Sequence, residues 1–140
     1  MANYNTIRLQ KIKSISQAKR AQAHNFRLHK KLSNVDYGKT DENVYLVGQN
    51  EDLTLQFELL RQQYKFKFDA QRQNMFDEFV ISASPEFFKG KSKEQTIDYF
   101  QKHIDFLKRE YFKVNGSIIS AVIHFDEKTP HMHLIASPSR

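Results

Sequence analysis

Three of the six histidines fall within ten residues, at His124, His131 and His133 of the segment HFDEKTPHMH. On a strand His131 and His133 share a face because side chains alternate, and a hairpin can return His124 to that face. Three neutral imidazoles suit a borderline divalent ion such as Mn²⁺, Zn²⁺, Co²⁺ or Ni²⁺, and they leave coordination positions for water or a phosphate oxygen. Such an open site points to catalysis rather than to a structural ion. Asp126 and Glu127 lie where a carboxylate could accept the second ring N–H of a liganding histidine, and Glu127 is the expected one. Upstream, His24, Arg27 and Lys31 are three and four residues apart, so on a helix they would form one stripe able to reach one ligand. His29 and His103 have no partner at metal-ligand spacing and are expected to be structural. The absence of cysteine excludes disulfides, thiolate metal sites and a cysteine nucleophile.

The elements that must hold these residues can be read from periodicity. Residues 3–12 alternate, with Ile7 and Leu9 on one face and Arg8 and Gln10 on the other, as in a half-buried strand. Ser14 or Ser16 can cap a helix running to about Leu32. Residues 33–43 are turn formers read as a mobile loop, and a short strand follows at 44–47. Apolar residues from Leu53 to Phe68 recur at helical spacing, predicting a helix over about 53–72. Residues 76–83 read as a strand, and Ser92-Lys93-Glu94-Gln95 as a capping box opening an amphipathic helix that Asn115-Gly116 ends. Strands over 117–125 and 131–136 close the chain as a hairpin carrying the histidines. The order β-α-β-α-β-α-β-β with an antiparallel end predicts an α+β fold, helices packed on a mixed or antiparallel sheet.

Length and charge bound the function. A chain of 140 residues with 39% hydrophobic and 13% aromatic residues suits a single domain with a real core. The ending just after a core strand suggests a domain cut from something longer. No apolar run approaches the roughly 20 residues of a membrane span, and no secretory signal opens the chain, so a cytoplasmic protein without membrane contact is expected. The net charge is +6, yet residues 1–35 contain eight basic and no acidic residues. That concentrated field suits a polyanion such as nucleic acid.

The segment His124–His133 resembles the histidine-hydrophobic-histidine motif of the HUH endonucleases, and more closely that of plasmid mobilisation relaxases of the Mob/Pre (MobV) class. Residues 7–13 (IRLQKIK) are similar to that family's opening strand and His24-Asn25-Phe26-Arg27 to its first motif. Phe79-Val80-Ile81-Ser82 with Phe87-Phe88 is similar to the strand and aromatics before its third helix. The resemblance spans nearly the whole chain. It implies a central, largely antiparallel sheet flanked by helices, with the metal site on the C-terminal hairpin. It also implies a relaxase that nicks one strand of plasmid DNA at the origin of transfer, as hairpin or single strand, and stays joined to the new 5′ phosphate.

On that resemblance His24 is the nucleophile, Arg27 holds the scissile phosphate and Glu127 orients a ligand. His124, His131 and His133 hold Mn²⁺, or Mg²⁺. Arg8, Lys11, Lys13, Lys19, Arg20, Asn25 and Lys31 are the expected DNA contacts, and a C-terminal region beyond this domain could support a dimer. A neutral imidazole can attack phosphorus near neutral pH without a strongly shifted pKa, whereas a phenol cannot. The family's His-x-Asn-Tyr pattern appears here as Asp41-Glu42-Asn43-Val44-Tyr45. That displacement by one residue predicts that Tyr45 faces away from the site. Tyr4 and Tyr37 stay open as alternative nucleophiles. Two other readings also stay open, a metal-dependent hydrolase or oxygenase of a small molecule and a DNA-binding module without catalysis.

Overall fold

A computed structural model describes residues 5–28, 32–49, 52–65, 67–69, 73–112 and 117–138. Five strands, β1 (Asn5–Ile12), β2 (Val44–Val47), β3 (Phe76–Ala83), β4 (Ile118–His124) and β5 (His131–Ala136), form one sheet in the order β1-β3-β5-β4-β2. Every neighbouring pair is antiparallel, as the sequence and the resemblance predict. Helices α1 (Ile15–Asn25) and α2 (Leu53–Tyr64) belong to a core with Ile12, Phe76 and Ile135. The short α3 (Pro85–Phe88) and the long α4 (Lys93–Glu110) belong to another, with Ile81, Ile123 and Leu134. Alternation along the strands separates these two sets onto opposite faces, so the sheet is buried on both sides and its central strands are apolar.

Register fixes which residues share the α1 side. Arg8 pairs with Val80, Val80 with His133, His133 with Val122 and Val122 with Tyr45. Directly opposed residues point the same way, so one row crosses the sheet from a basic edge, through a histidine, to a tyrosine. Tyr45 therefore lies on the site face. The displaced pattern misleads because only the pairing of Val44 and Tyr45 with Ile123 and Val122 of β4 decides which way the tyrosine points.

The local signals at helix starts hold. Ser14 accepts from the Gln17 N–H at the start of α1. Ser92 and Gln95 form the reciprocal capping box of α4. Four expectations are corrected. Helix α1 stops at Asn25 rather than near residue 32, because Arg27 takes a left-handed φ of 55° and turns inward. The strand β1 is not half-buried: Ile7 and Leu9 are about half exposed, since β1 is the sheet's edge. Residues 37–42 are a 3-10 helix rather than a loose loop, capped by the Asp36 side chain. Helix α2 ends at Tyr64, where Lys65 is left-handed. Lys31, His29, Tyr4 and the expected stop at 115–116 lie outside the described residues. No described helix is long and apolar enough to cross a membrane.

Candidate metal centre and nucleophile

His131 and His133 sit two residues apart on β5, and His124 is paired with His131 across the hairpin. Their ring centroids are 4.7 Å (His124–His133), 5.2 Å (His124–His131) and 5.0 Å (His131–His133) apart. His24, at the end of α1, brings its ring to 5.3 Å from His133 and 6.1 Å from His124. Four imidazoles thus meet at one end of the sheet.

His124 and His133 each have a nitrogen hydrogen-bonded to an oxygen that assigns the tautomer, whereas both nitrogens of His131 face oxygens. His124 Nε2 lies 2.8 Å from the Asn25 carbonyl. His131 Nδ1 lies 3.1 Å from the Thr129 carbonyl. His133 Nδ1 lies 3.3 Å from Glu78 Oε2. The N–H groups of His124 and His133 point at these oxygens, so His124 Nδ1, which accepts from Arg27 Nη2, and His133 Nε2 present lone pairs, while His131 Nε2 faces Glu127 Oε2. His133 Nε2 is buried with no hydrogen-bond partner among the described residues. A bare, buried imidazole nitrogen beside two others is what a divalent cation would satisfy, so the donor set fits the expected metal.

The nitrogens and carboxylates group as two overlapping trios, His24–His124–His133 and His124–Glu127–His131, each with donor atoms within 4.8 Å of one another. The expected trio of His124, His131 and His133 is divided between them. Two residues along a strand are roughly 6.7 Å apart, so the β5 rings must lean together to share one ion. His24, expected only as nucleophile, is also close enough to serve as a ligand.

Glu127 stands beside the hairpin histidines, as expected. Its Oε2 lies 2.7 Å from His131 Nε2 and 3.5 Å from His124 Nδ1. That places it both to accept a ring N–H and, with His124 and His131, to ligate an ion. A second carboxylate faces His133: Glu78, a buried residue of β3 that also accepts from Asn25 Nδ2 at 2.6 Å. Its sequence signal was an acid inside the apolar strand FDEFVISA. Burial pushes the Glu78 carboxyl up, but the His133 and Asn25 hydrogen bonds outweigh it and keep it below the usual carboxylate range. Burial likewise opposes ionisation of Glu127, and contacts with His124, His131 and Arg27 reverse this and hold it far below that range. Burial lowers His133 to about 4, so it remains neutral and ready to ligate.

Arg27 is corrected from a phosphate-holding helix residue to an internal strut. Its Nε and Nη2 each lie 2.9 Å from the Asp126 carboxylate, and Nη2 also reaches Glu127 Oε2 at 2.9 Å and His124 Nδ1 at 3.1 Å. Its side chain is 3% exposed. Those partners, with the His24 carbonyl 3.1 Å from Nη1, hold the guanidinium inside, which is why the backbone turns at this position. Asn25 is corrected as well: at 1% exposure, it spends its amide on Glu78 and its carbonyl on His124. The 3-10 segment and the residues flanking it clasp the same turn. Thr40 Oγ1 donates to Asp126, Asn34 Nδ2 to Glu127, and Asn43 Oδ1 accepts from the N–H groups of Phe125 and Asp126.

His24 itself remains exposed. Partial burial, then repulsion from Arg27 and His124, lowers its pKa, while Glu127 and Glu78 oppose the shift. It therefore carries a free lone pair at neutral pH. A cleft of about 480 Å³ leads to it, lined by Arg8, Lys11 and Arg20 and floored by Glu78 and His133. Lys13 and Lys19 are exposed and do not line this cleft. Tyr37, an alternative nucleophile, has its hydroxyl accepting from the Leu32 N–H. Tyr45 stands 5.8 Å from the Phe26 ring, and burial pushes its phenol up against the opposing charge of Arg27.

Comparison with known proteins finds relatives over the whole chain. The family model Mob_Pre, described as plasmid recombination enzyme, matches residues 1–140. A plasmid recombination enzyme of Bacillus thuringiensis is 34% identical over 143 residues, covering 99% of this chain and 31% of that protein. A type 3 plasmid recombination enzyme of Staphylococcus aureus is 32% identical over 139 residues, covering 94% of this chain and 32% of its own length. The chain thus spans about a third of these relatives. Among solved structures, the MobM relaxase domain, Mn-bound and in complex with plasmid pMV158 oriT DNA, superposes with a TM-score of 0.82. It is 25% identical, with 95% of this chain and 69% of that one covered.

Proposed function

The chain belongs to the plasmid recombination enzyme (Mob_Pre) family, and on that premise we propose that it is a metal-dependent DNA relaxase, nicking one strand at a plasmid origin of transfer. The carrying observation is the exposed His24 ring at the inner end of a basic cleft, against a cluster that holds a bare buried imidazole nitrogen. A small-molecule hydrolase has no use for the cleft, and a DNA-binding module without catalysis has no use for the orphaned nitrogen.

Arg8, Lys11 and Arg20 hold the strand by its phosphates. A divalent ion held by His124, His131 and His133 with Glu127, Mn²⁺ before Mg²⁺ on ligand softness, supplies Lewis-acid polarisation of the scissile phosphate when bound. The neutral His24 nitrogen attacks phosphorus. A P–N bond forms as the P–O3′ bond breaks, and the 3′ oxygen leaves with the electron pair and takes a proton from water. The 5′ phosphate stays on His24 as a phosphoramidate, and the positive charge left on the ring is offset by Glu127 and Glu78. Arg27 keeps Glu127 and His124 in place throughout.

Incubation of the protein with supercoiled plasmid carrying its origin, plus Mn²⁺, should give open circles with protein on the 5′ end. The adduct should break in mild acid and survive alkali, because a protonated phosphoramidate nitrogen leaves far more readily than a phenol. His24→Ala should form no adduct while still binding DNA. An acid-stable adduct, or one lost only in Tyr37→Phe or Tyr45→Phe, would show a tyrosine nucleophile.

A further inference from the structure

The turn that carries Glu127 has a second side. Beyond it lies a hollow of about 400 Å³, walled by Lys128, Thr129 and Pro130 of the turn and by the α3–α4 corner. Lys89, Lys91, Lys93 and Lys128 rim it, and Glu42 is the one carboxylate among its lining residues. All four lysines are exposed. No ion pair joins any of them to another described residue. Lys93 Nζ is 4.9 Å above the Phe125 ring and Lys91 Nζ 4.4 Å above Phe87, so two of the ammonium groups rest on aromatic faces rather than on acids. Phe88 and Phe125 give the hollow an apolar floor. Outside residues 1–35 the chain is net acidic, so this local charge of about +3 is a product of folding and not of composition.

Position adds to the chemistry. Thr129 lends its carbonyl to His131 on the metal side and lines the hollow on the other. Phe125 packs against the α3–α4 core, so the hollow belongs to the sheet face opposite the cleft, at the same end of the sheet. A single strand leaving the histidines could pass over the turn and arrive there. An apolar aromatic floor under a cationic rim is the combination that takes one nucleotide, base on the floor and phosphate on the rim.

We propose that this hollow is a second DNA subsite, seating a nucleotide of the single strand after it has passed over the turn from the scissile phosphate. Its phosphate lies among Lys89, Lys91, Lys93 and Lys128, and its base lies against Phe125. The proposal rests on the relaxase reading, and its test separates the two.

The test measures binding of a fluorescein-labelled single-stranded 20-mer by anisotropy between 50 and 300 mM NaCl. It compares wild type, Lys89→Glu/Lys91→Glu, Lys128→Gln, and a Lys102→Glu/Lys108→Glu control that makes the same charge change on exposed positions of α4. The hollow variants should lose about tenfold in affinity at 100 mM salt. Each phosphate contact removed should lower the salt slope by about 0.7. The control should change neither by as much, and Mn²⁺ affinity should stay at the wild-type value in all of them. An oligonucleotide carrying 5-bromodeoxyuridine should photocrosslink to the peptide containing Phe125, and not in Lys89→Glu/Lys91→Glu. Equal losses in hollow and control variants, or no loss in either, overturn the subsite while leaving the relaxase reading intact. Saturation of the hollow by dTMP or inorganic phosphate at micromolar concentration, without effect on strand binding, also overturns it and identifies a small-phosphate site. A wild-type protein that binds no oligonucleotide overturns both.

Discussion

His124, His131 and His133 were legible as a set because three imidazoles in ten residues around a hairpin leave little other reading, but their division into two trios was not. That division comes from side-chain reach and from the oxygens that face each ring, two of which are backbone carbonyls, at Asn25 and Thr129. No residue type announces a carbonyl. Glu78 was visible as an acid in an apolar strand, yet its partner His133 is 55 positions away and is joined to it only by β3–β5 pairing. Removing this outer carboxylate with Glu78→Gln should cost about 10–100-fold in Mn²⁺ affinity, measured by calorimetry, since the amide no longer holds the His133 N–H as strongly. His124→Ala should cost more, because His124 belongs to both trios; equal affinities in the two variants would contradict the tautomer assignment. His103, expected to be structural, has its ring 4.7 Å from Tyr99, and burial lowers its pKa below 6.5. A histidine depressed on folding stabilises fully above its unfolded pKa and progressively less as pH falls through and below it. The melting temperature of wild type should therefore drop between pH 7 and 5.5 by more than that of His103→Gln, and parallel curves would refute this.

At the scale of elements, strands and helix starts were readable because period-two alternation and Ser caps are local. The end of α1 was not. Nothing in HNFRLHKKL contains glycine or proline, and what breaks the helix is a pair of carboxylates about a hundred residues away. A left-handed non-glycine residue costs about 1 kcal/mol or more, and the buried Arg27–Asp126 fork offsets it. The same fork anchors α1 to the β4–β5 turn, so that nucleophile and metal ligands keep one geometry although they sit on different elements. Burial pushes the Asp126 carboxyl up, but hydrogen bonds from Arg27 first, then from Asn43 and Thr40, hold it below its ordinary value. Arg27→Ala would leave that carboxylate buried and unpaired, and should destabilise the protein by about 3–5 kcal/mol in urea unfolding. Arg27→Lys should recover only part of this, because an ammonium cannot bind in the bidentate manner. Full recovery would mean that charge alone, and not the fork, joins the two elements.

For the molecule as a whole, the charge of the acid-free N-terminal segment suits a polyanion, and the fold resolves that segment into parts with different uses. Residues on β1 and α1 converge only where the edge strand runs beside the helix: Arg8, Lys11 and Arg20 line the cleft to His24, while Lys13 and Lys19 lie outside it. Arg27 is withdrawn into the interior. Which lysines face the strand depends on the β1–β3 register and on where α1 docks, and neither can be counted from charge along a sequence. Both groups raise the general positive potential, but only cleft residues would release counterions from a bound phosphate. Binding of a single-stranded oligonucleotide should therefore weaken linearly in log salt. Arg8→Ala and Arg20→Ala should each lower the slope by about 0.7, while Lys13→Ala and Lys19→Ala should shift affinity slightly and leave the slope unchanged. If Lys13→Ala and Lys19→Ala reduce the slope as much as the cleft variants do, the strand lies across the whole face of α1 and the cleft does not guide it to His24.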